Sequence, residues 1–202
     1  MTKRQPPVTA AELSARLLSD PEFVAKQRAR ERQRIERSAR FRIEEQPILT
    51  ELSEIGWNVN SVWDLVNTSA PYGEAIPVLL RHLLLPYSDR TREGIARALA
   101  VPYAKDAWPM LVAEYRKAPM GQEDGIRLDA KSGLAVALAA TATDNVMDEL
   151  VAFARDRSQG ESRVLLLRAL RKSKSAIAKQ AIEELASDPD LKKEINSWRR
   201  RR

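Results

Sequence analysis

Residues 72–101 read YGEAIPVLLRHLLLPYSDRTREGIARALAV, and this stretch decides the fold. Ile76, Leu79, Leu80, Leu83 and Leu84 recur at helical spacing on one face, and beyond a polar turn Ile95, Ala96 and Leu99 do the same. Two short amphipathic helices cannot bury both apolar faces against each other alone. They require neighbours of the same kind.

The chain supplies them. Aligning AIPVLLRHLL, AWPMLVAEYR, NVMDELVAFAR and SAIAKQAIEELA places Pro77, Pro109, Asp148 and Gln180 in register, at separations of 32, 39 and 32 residues. The following segments REGIARAL, KSGLAVAL and RVLLLRAL place Gly94, Gly133 and Leu165 in register at 39 and 32. Both series carry the same seven-residue excess, which locates one insertion in 118–130 (APMGQEDGIRLDA). This periodicity predicts an array of helical hairpins at about 72–101, 104–142, 144–172 and 174–198. Pro77 and Pro109 suit the first turn of their helices, where a backbone N–H has no intrahelical partner.

Upstream, Thr9 and Glu12 form a capping-box pattern for a helix through Leu18, and Asp20-Pro21 opens a longer helix. From Lys26 to Arg34 that helix is polar all round, an apolar seam returns at Ile35, Ala39 and Ile43, and Pro47 is expected to break or kink it. Gly56 is a plausible helix C-cap, and 59–67 predicts one more short helix. The expected organisation is a basic N-terminal arm with helices over 1–56, a repeat array over 57–198 and a basic tail at 199–202.

The spacing and residue types resemble HEAT repeats over roughly 72–195. The match is an apolar helix, a turn with Asp, then a helix opening on a basic residue: Asp89 with Arg92, Lys131 in the second unit, Asp156 with Arg163 in the third. The resemblance implies an all-α fold, a short right-handed α-solenoid with second helices on the concave side. It also implies scaffolding and partner binding, although one branch of the family comprises DNA alkylpurine glycosylases.

Composition narrows the chemistry. The chain has no cysteine, which excludes disulfides, thiolate metal sites and Cys nucleophiles, and a single histidine, His82, set among leucines. No metal-ligand spacing, phosphate-binding Gly loop or serine nucleophile turn is recognisable. No secretory signal or run of about 20 apolar residues is evident. The net charge of +6 resides at the ends: residues 1–46 carry +4, Arg199–Arg202 another +4, and 47–198 carry −2.

The candidate site residues follow from charge. Arg163, Arg168, Arg171, Lys172, Lys174 and Lys179 lie between Glu161 and Glu183 without an acid among them. Arg30 and Arg34 represent the basic run of the arm, where Glu36 and Arg40 have helix-pairing spacing. Met120, Glu123 and Asp124 represent the insertion, a loop that a rigid array would display. Arg92, Lys131 and Arg163 share one repeat position and either form a positive ladder or pair locally. Trp57, Trp63 with Asp64, and Trp108 would serve the glycosylase reading but also suit core packing. Phe23, Ile35, Ala39 and Ile43 offer a surface for self-association.

The expected function is a cytoplasmic, non-enzymatic protein-binding scaffold without cofactor or metal, with another protein as partner and neither membrane nor small-molecule substrate. The alternative is a nucleic-acid-binding module using the basic arm and the 163–179 patch.

Overall fold

The computed structural model describes residues 9–119 and 129–199. Every regular element among them is a helix. Contacts divide the chain after Ile43 into two units, the larger beginning at Glu44.

The first unit holds α1 (Ala10–Ser19) and the opening of α2 (Pro21–Glu54). Thr9 caps α1 with the anticipated box: Glu12 N–H donates to the Thr9 hydroxyl at 3.3 Å and Thr9 N–H to the Glu12 carboxylate at 2.9 Å. Asp20 caps α2 by accepting from Glu22 N–H at 2.9 Å. α1 buries no residue, and Leu13, Leu17 and Leu18 are exposed, as are Ile35 and Ile43 of the α2 seam.

Of the two outcomes expected at Pro47, a break does not occur: α2 runs through it. A proline in a helix forgoes one hydrogen bond. Here the face carrying Ile48 and Leu52 is fully buried, which offsets that loss and holds the helix to Glu54. It then stops on Gly56 at φ +90°, with Trp57 N–H donating to Leu52 C=O and Gly56 N–H to Ser53 C=O, a Schellman closure.

The second unit continues with α3 (Val62–Asn67), α4 (Ile76–Leu83), α5 (Asp89–Ala98), α6 (Trp108–Lys117), α7 (Ala130–Thr141), α8 (Met147–Arg155), α9 (Arg163–Lys172), α10 (Ala176–Leu185) and α11 (Lys192–Arg199). These pair in chain order: α4 with α5, α6 with α7, α8 with α9. The second member of each pair packs on the next, so α3, α5, α7 and α9 form a continuous row. One core runs beneath it through Leu79, Ile95, Leu111, Leu134, Leu150, Leu166 and Ala181.

The two aligned glycines are crossing points of that row. A Cβ on Gly133 would come within 2.8 Å of the Glu93 carbonyl oxygen, and one on Gly94 within 2.8 Å of Trp63 Nε1. Helix α5 thus approaches α7 backbone to backbone at Gly133, and at Gly94 it receives the side chains of Trp63 and Val62 from α3.

Helix α5 is capped from a distance. Its N-cap residue Ser88 makes no side-chain cap bond of its own; instead the Glu44 carboxylate accepts from Ser88 N–H, from Ser88 Oγ at 2.6 Å and from Thr91 Oγ1 at 2.8 Å. A carboxylate there also complements the helix dipole. Glu44→Ala is expected to cost about 1–2 kcal/mol, in the range of a lost N-cap. Chemical denaturation reads this directly, and a Glu44→Ala chain as stable as wild type would show the cap to be idle.

Candidate binding groove

The shared position Arg92, Lys131, Arg163 forms no exposed ladder. Arg92 donates to Glu114 of the next hairpin at 2.9 Å. Lys131 is buried and donates to the Tyr115 and Ala118 carbonyls at 3.0 and 3.1 Å, beneath the Tyr115 ring. Burial lowers its pKa, against the pull of Asp129 and Asp156.

Arg163 is 0% exposed; its Nε donates to Ala154 C=O at 2.8 Å and its guanidinium to Asp188 at 2.7 Å. The same hydrogen bond holds the Asp188 carboxyl below its ordinary range. Each of these cations therefore ties the start of a second helix to the end of its own first helix, to the following hairpin, or to both. Arg163, a candidate ligand residue from its charge, is not accessible. A guanidinium can be buried only where fixed acceptors replace its water, and those acceptors lie 9 and 25 residues away.

Most other arginines of the second unit ahead of Arg168 are also neutralised. Arg81 pairs with Glu51, Arg97 with Glu93, Arg116 with Glu149, Arg155 with Glu184 and Arg157 with Asp188. Arg90 lies over the Trp63 ring. These pairs are mostly exposed and add little stability. Their importance is that they use up the acids.

From Arg168 the pairing stops. Arg168, Lys172, Lys174 and Lys179 are exposed and have no carboxylate within 4 Å among the described residues. Arg171 lies over the Trp198 ring, 5.1 Å from its centroid. Of the nearby acids, Glu184 holds Arg155, Asp188 holds Arg163 and Glu194 accepts from Trp198 Nε1 at 2.9 Å, while Glu183 lies beside Arg171 and Lys179 without forming an ion pair to either.

These cations rim a groove. A concavity of ≈ 730 Å³ lies among α5, α7, α9 and α11, walled by Val136, Ala139, Val164 and Leu165 and edged by Arg168, Arg171, Lys172, Glu194 and Trp198. A recess of ≈ 440 Å³ adjoins it through Arg97 and Arg168, and another of ≈ 440 Å³ through Arg171 and Trp198. Of the charge-selected residues, the structure brings Arg168, Arg171 and Lys172 to the main groove and Lys179 to the adjoining recess. Lys174 lines neither. Trp198 and Arg97 were not among the selected residues. Trp198 was legible from the apolar spacing Leu191, Ile195, Trp198, whereas the placement of Arg97 depends on helix packing.

The remaining candidates lie elsewhere. Arg30 and Arg34 belong to the first unit, where Arg34 pairs with Glu31 at 2.6 Å and Arg30 is exposed. The Glu36–Arg40 pair suggested by spacing is not formed. Met120, Glu123 and Asp124 lie outside the described residues.

The tryptophans have structural employment. Asp64 closes a capping box on Ser61 at the start of α3, Trp108 is buried and donates to Glu149 at 2.9 Å, and Trp57 meets Tyr72 edge-on. His82 is buried between the Tyr87 hydroxyl at 2.7 Å and Glu51 at 3.0 Å. Among the described residues no group of three or more acids or histidines could hold a metal ion, and no helix is long and apolar enough to cross a membrane. Comparison with protein-family models, curated proteins and solved structures returns no match.

Proposed function

We propose that this chain is a non-enzymatic scaffold of HEAT-like hairpins, a short α-solenoid, that binds another protein in the cytoplasm through the row of second helices. The observation that carries this reading is the groove: apolar walls between α5, α7 and α9, edged by Arg168 and Lys172, which form no ion pair among the described residues. A concave surface with half-buried apolar walls and a charged rim is the anatomy of a recognition site.

The test is a photo-crosslinking amino acid at Ala140, which lines the groove, against the same substitution at exposed Glu74, which lies outside it. A polypeptide adduct at 140 and none at 74 is expected in cells. Absence of an adduct at 140, or equal adducts at both positions, overturns the reading.

A second reading, nucleic-acid binding, is favoured by one observation in the first unit. Within 26–42 the sole ion pair among the described residues is Arg34–Glu31, leaving a long helix rich in exposed arginine. A nucleic-acid adduct in place of a polypeptide would support it.

A further inference from the structure

We propose that the groove between α7, α9 and α11 accepts an acidic peptide segment carrying a bulky apolar residue, with the acids on Arg168 and Lys172 and the apolar side chain against Val164 and Leu165. This rests on the scaffold reading and names the chemistry of its partner.

Charge complementarity is the first argument. Arg168 and Lys172 are four residues apart on α9, so their side chains are neighbours on one helix face. Glu184 is committed to Arg155 and Asp188 to Arg163, Glu194 bonds the Trp198 indole, and no carboxylate among the described residues pairs with Arg168 or Lys172. The carboxylates of a ligand would complete at Arg168 and Lys172 the pairing seen along the preceding hairpins.

The walls choose between polyanions. A phosphate backbone brings charge but no apolar surface, and its affinity grows with the number of cations it tracks. Here the groove's α9 cations cluster within little more than one turn, beside a wall of Val136, Val164 and Leu165. One face of the Trp198 ring is already covered by the Arg171 guanidinium, which leaves a nucleobase a single face to stack on. A glutamate-rich segment with a leucine or aromatic residue satisfies rim and wall together.

The experiment pans a library of random 12-residue peptides displayed on phage against the full chain. Enriched sequences are then measured as synthetic peptides by fluorescence anisotropy. Enrichment of Asp or Glu beside a large apolar residue is expected, with affinity falling about tenfold or more for Arg168→Glu/Lys172→Glu and similarly when the apolar residue becomes Ala. Arg168→Gln/Lys172→Gln should give an intermediate loss. Both positions are exposed, so melting temperatures should stay at the wild-type value; if the Glu pair melts early, the Gln pair decides.

Enriched peptides without acids, or binding indifferent to both variants, overturn the proposal while leaving the scaffold reading intact. No enriched peptide, together with a single-stranded oligonucleotide that binds and is lost on charge reversal, overturns both.

Discussion

Replacing Arg163 by alanine is expected to lower stability by about 3–5 kcal/mol, the cost of breaking a buried charge pair by removing one partner. Arg163 is among the largest fully buried side chains, and its loss leaves three deficits. The Asp188 carboxylate keeps its burial with only the exposed Arg157, at 3.4 Å, as counter-charge, the Ala154 carbonyl loses its donor, and the space of a long side chain opens between α8, α9 and the turn after α10. Urea denaturation measures the sum. A double variant, Arg163→Met with Asp188→Leu, should recover much of the loss, because it removes both charges and refills the space. If the double variant is no better than Arg163→Ala, charge is not the main cause.

The same pair carries a pH signature. Asp188 has its carboxyl held low in the folded state, first by the Arg163 hydrogen bond. Its contribution is therefore fully present above the ordinary aspartate value near 4 and fades as pH falls through the depressed folded value. The stability gap between wild type and Asp188→Asn should be widest at neutral pH and close on acidification. A gap unchanged down to pH 2 would show that the charge of Asp188 is immaterial.

Substituting alanine for Gly133 is expected to cost about 1–3 kcal/mol net, whereas Gly94→Ala should be close to neutral. Both glycines lie mid-helix, where alanine is intrinsically favoured by about 1 kcal/mol. At Gly133 the new Cβ meets backbone: Glu93 O at 2.8 Å and Glu93 Cα at 3.0 Å. That neighbour cannot yield cheaply, because Glu93 is itself fully buried and bonded to Arg97 at 2.6 Å. Helices α5 and α7 would have to part along their length.

At Gly94 the obstacles are the side chains of Trp63 and Val62. Trp63 Nε1 has no hydrogen-bond partner to surrender, so the ring can shift and the gain in helix propensity offsets the strain. Thermal unfolding of the two variants side by side tests the contrast, and a larger loss at Gly94 than at Gly133 would refute it.

The helices were legible because their causes are local. Apolar spacing marked the paired helices, the Thr9–Glu12 and Asp20-Pro21 patterns marked two starts, and Gly56 marked one stop. The glycines served as alignment marks before their reason was visible: each is a place where one second helix meets another. Pro47 misled for the complementary reason. Proline's local penalty was readable, but the burial of Ile48 and Leu52 that outweighs it is not a local property.

The candidate site was half legible. Sequence alone located the acid-free basic stretch from Arg163 to Lys179, since charge is written directly in residue identity. It could not separate Arg163 from Arg168, although they lie five residues apart on one helix with the same side chain. Arg163 points into the stack, toward acceptors on α8 and the turn before α11; Arg168 faces the groove. Periodicity by itself determined that this chain is a run of paired helices and where its charge lies. Which arginines staple the pairs together and which are left without an internal ion pair was decided by tertiary structure, because ion pairing depends on residues that are distant in the chain and adjacent only once the helices pack.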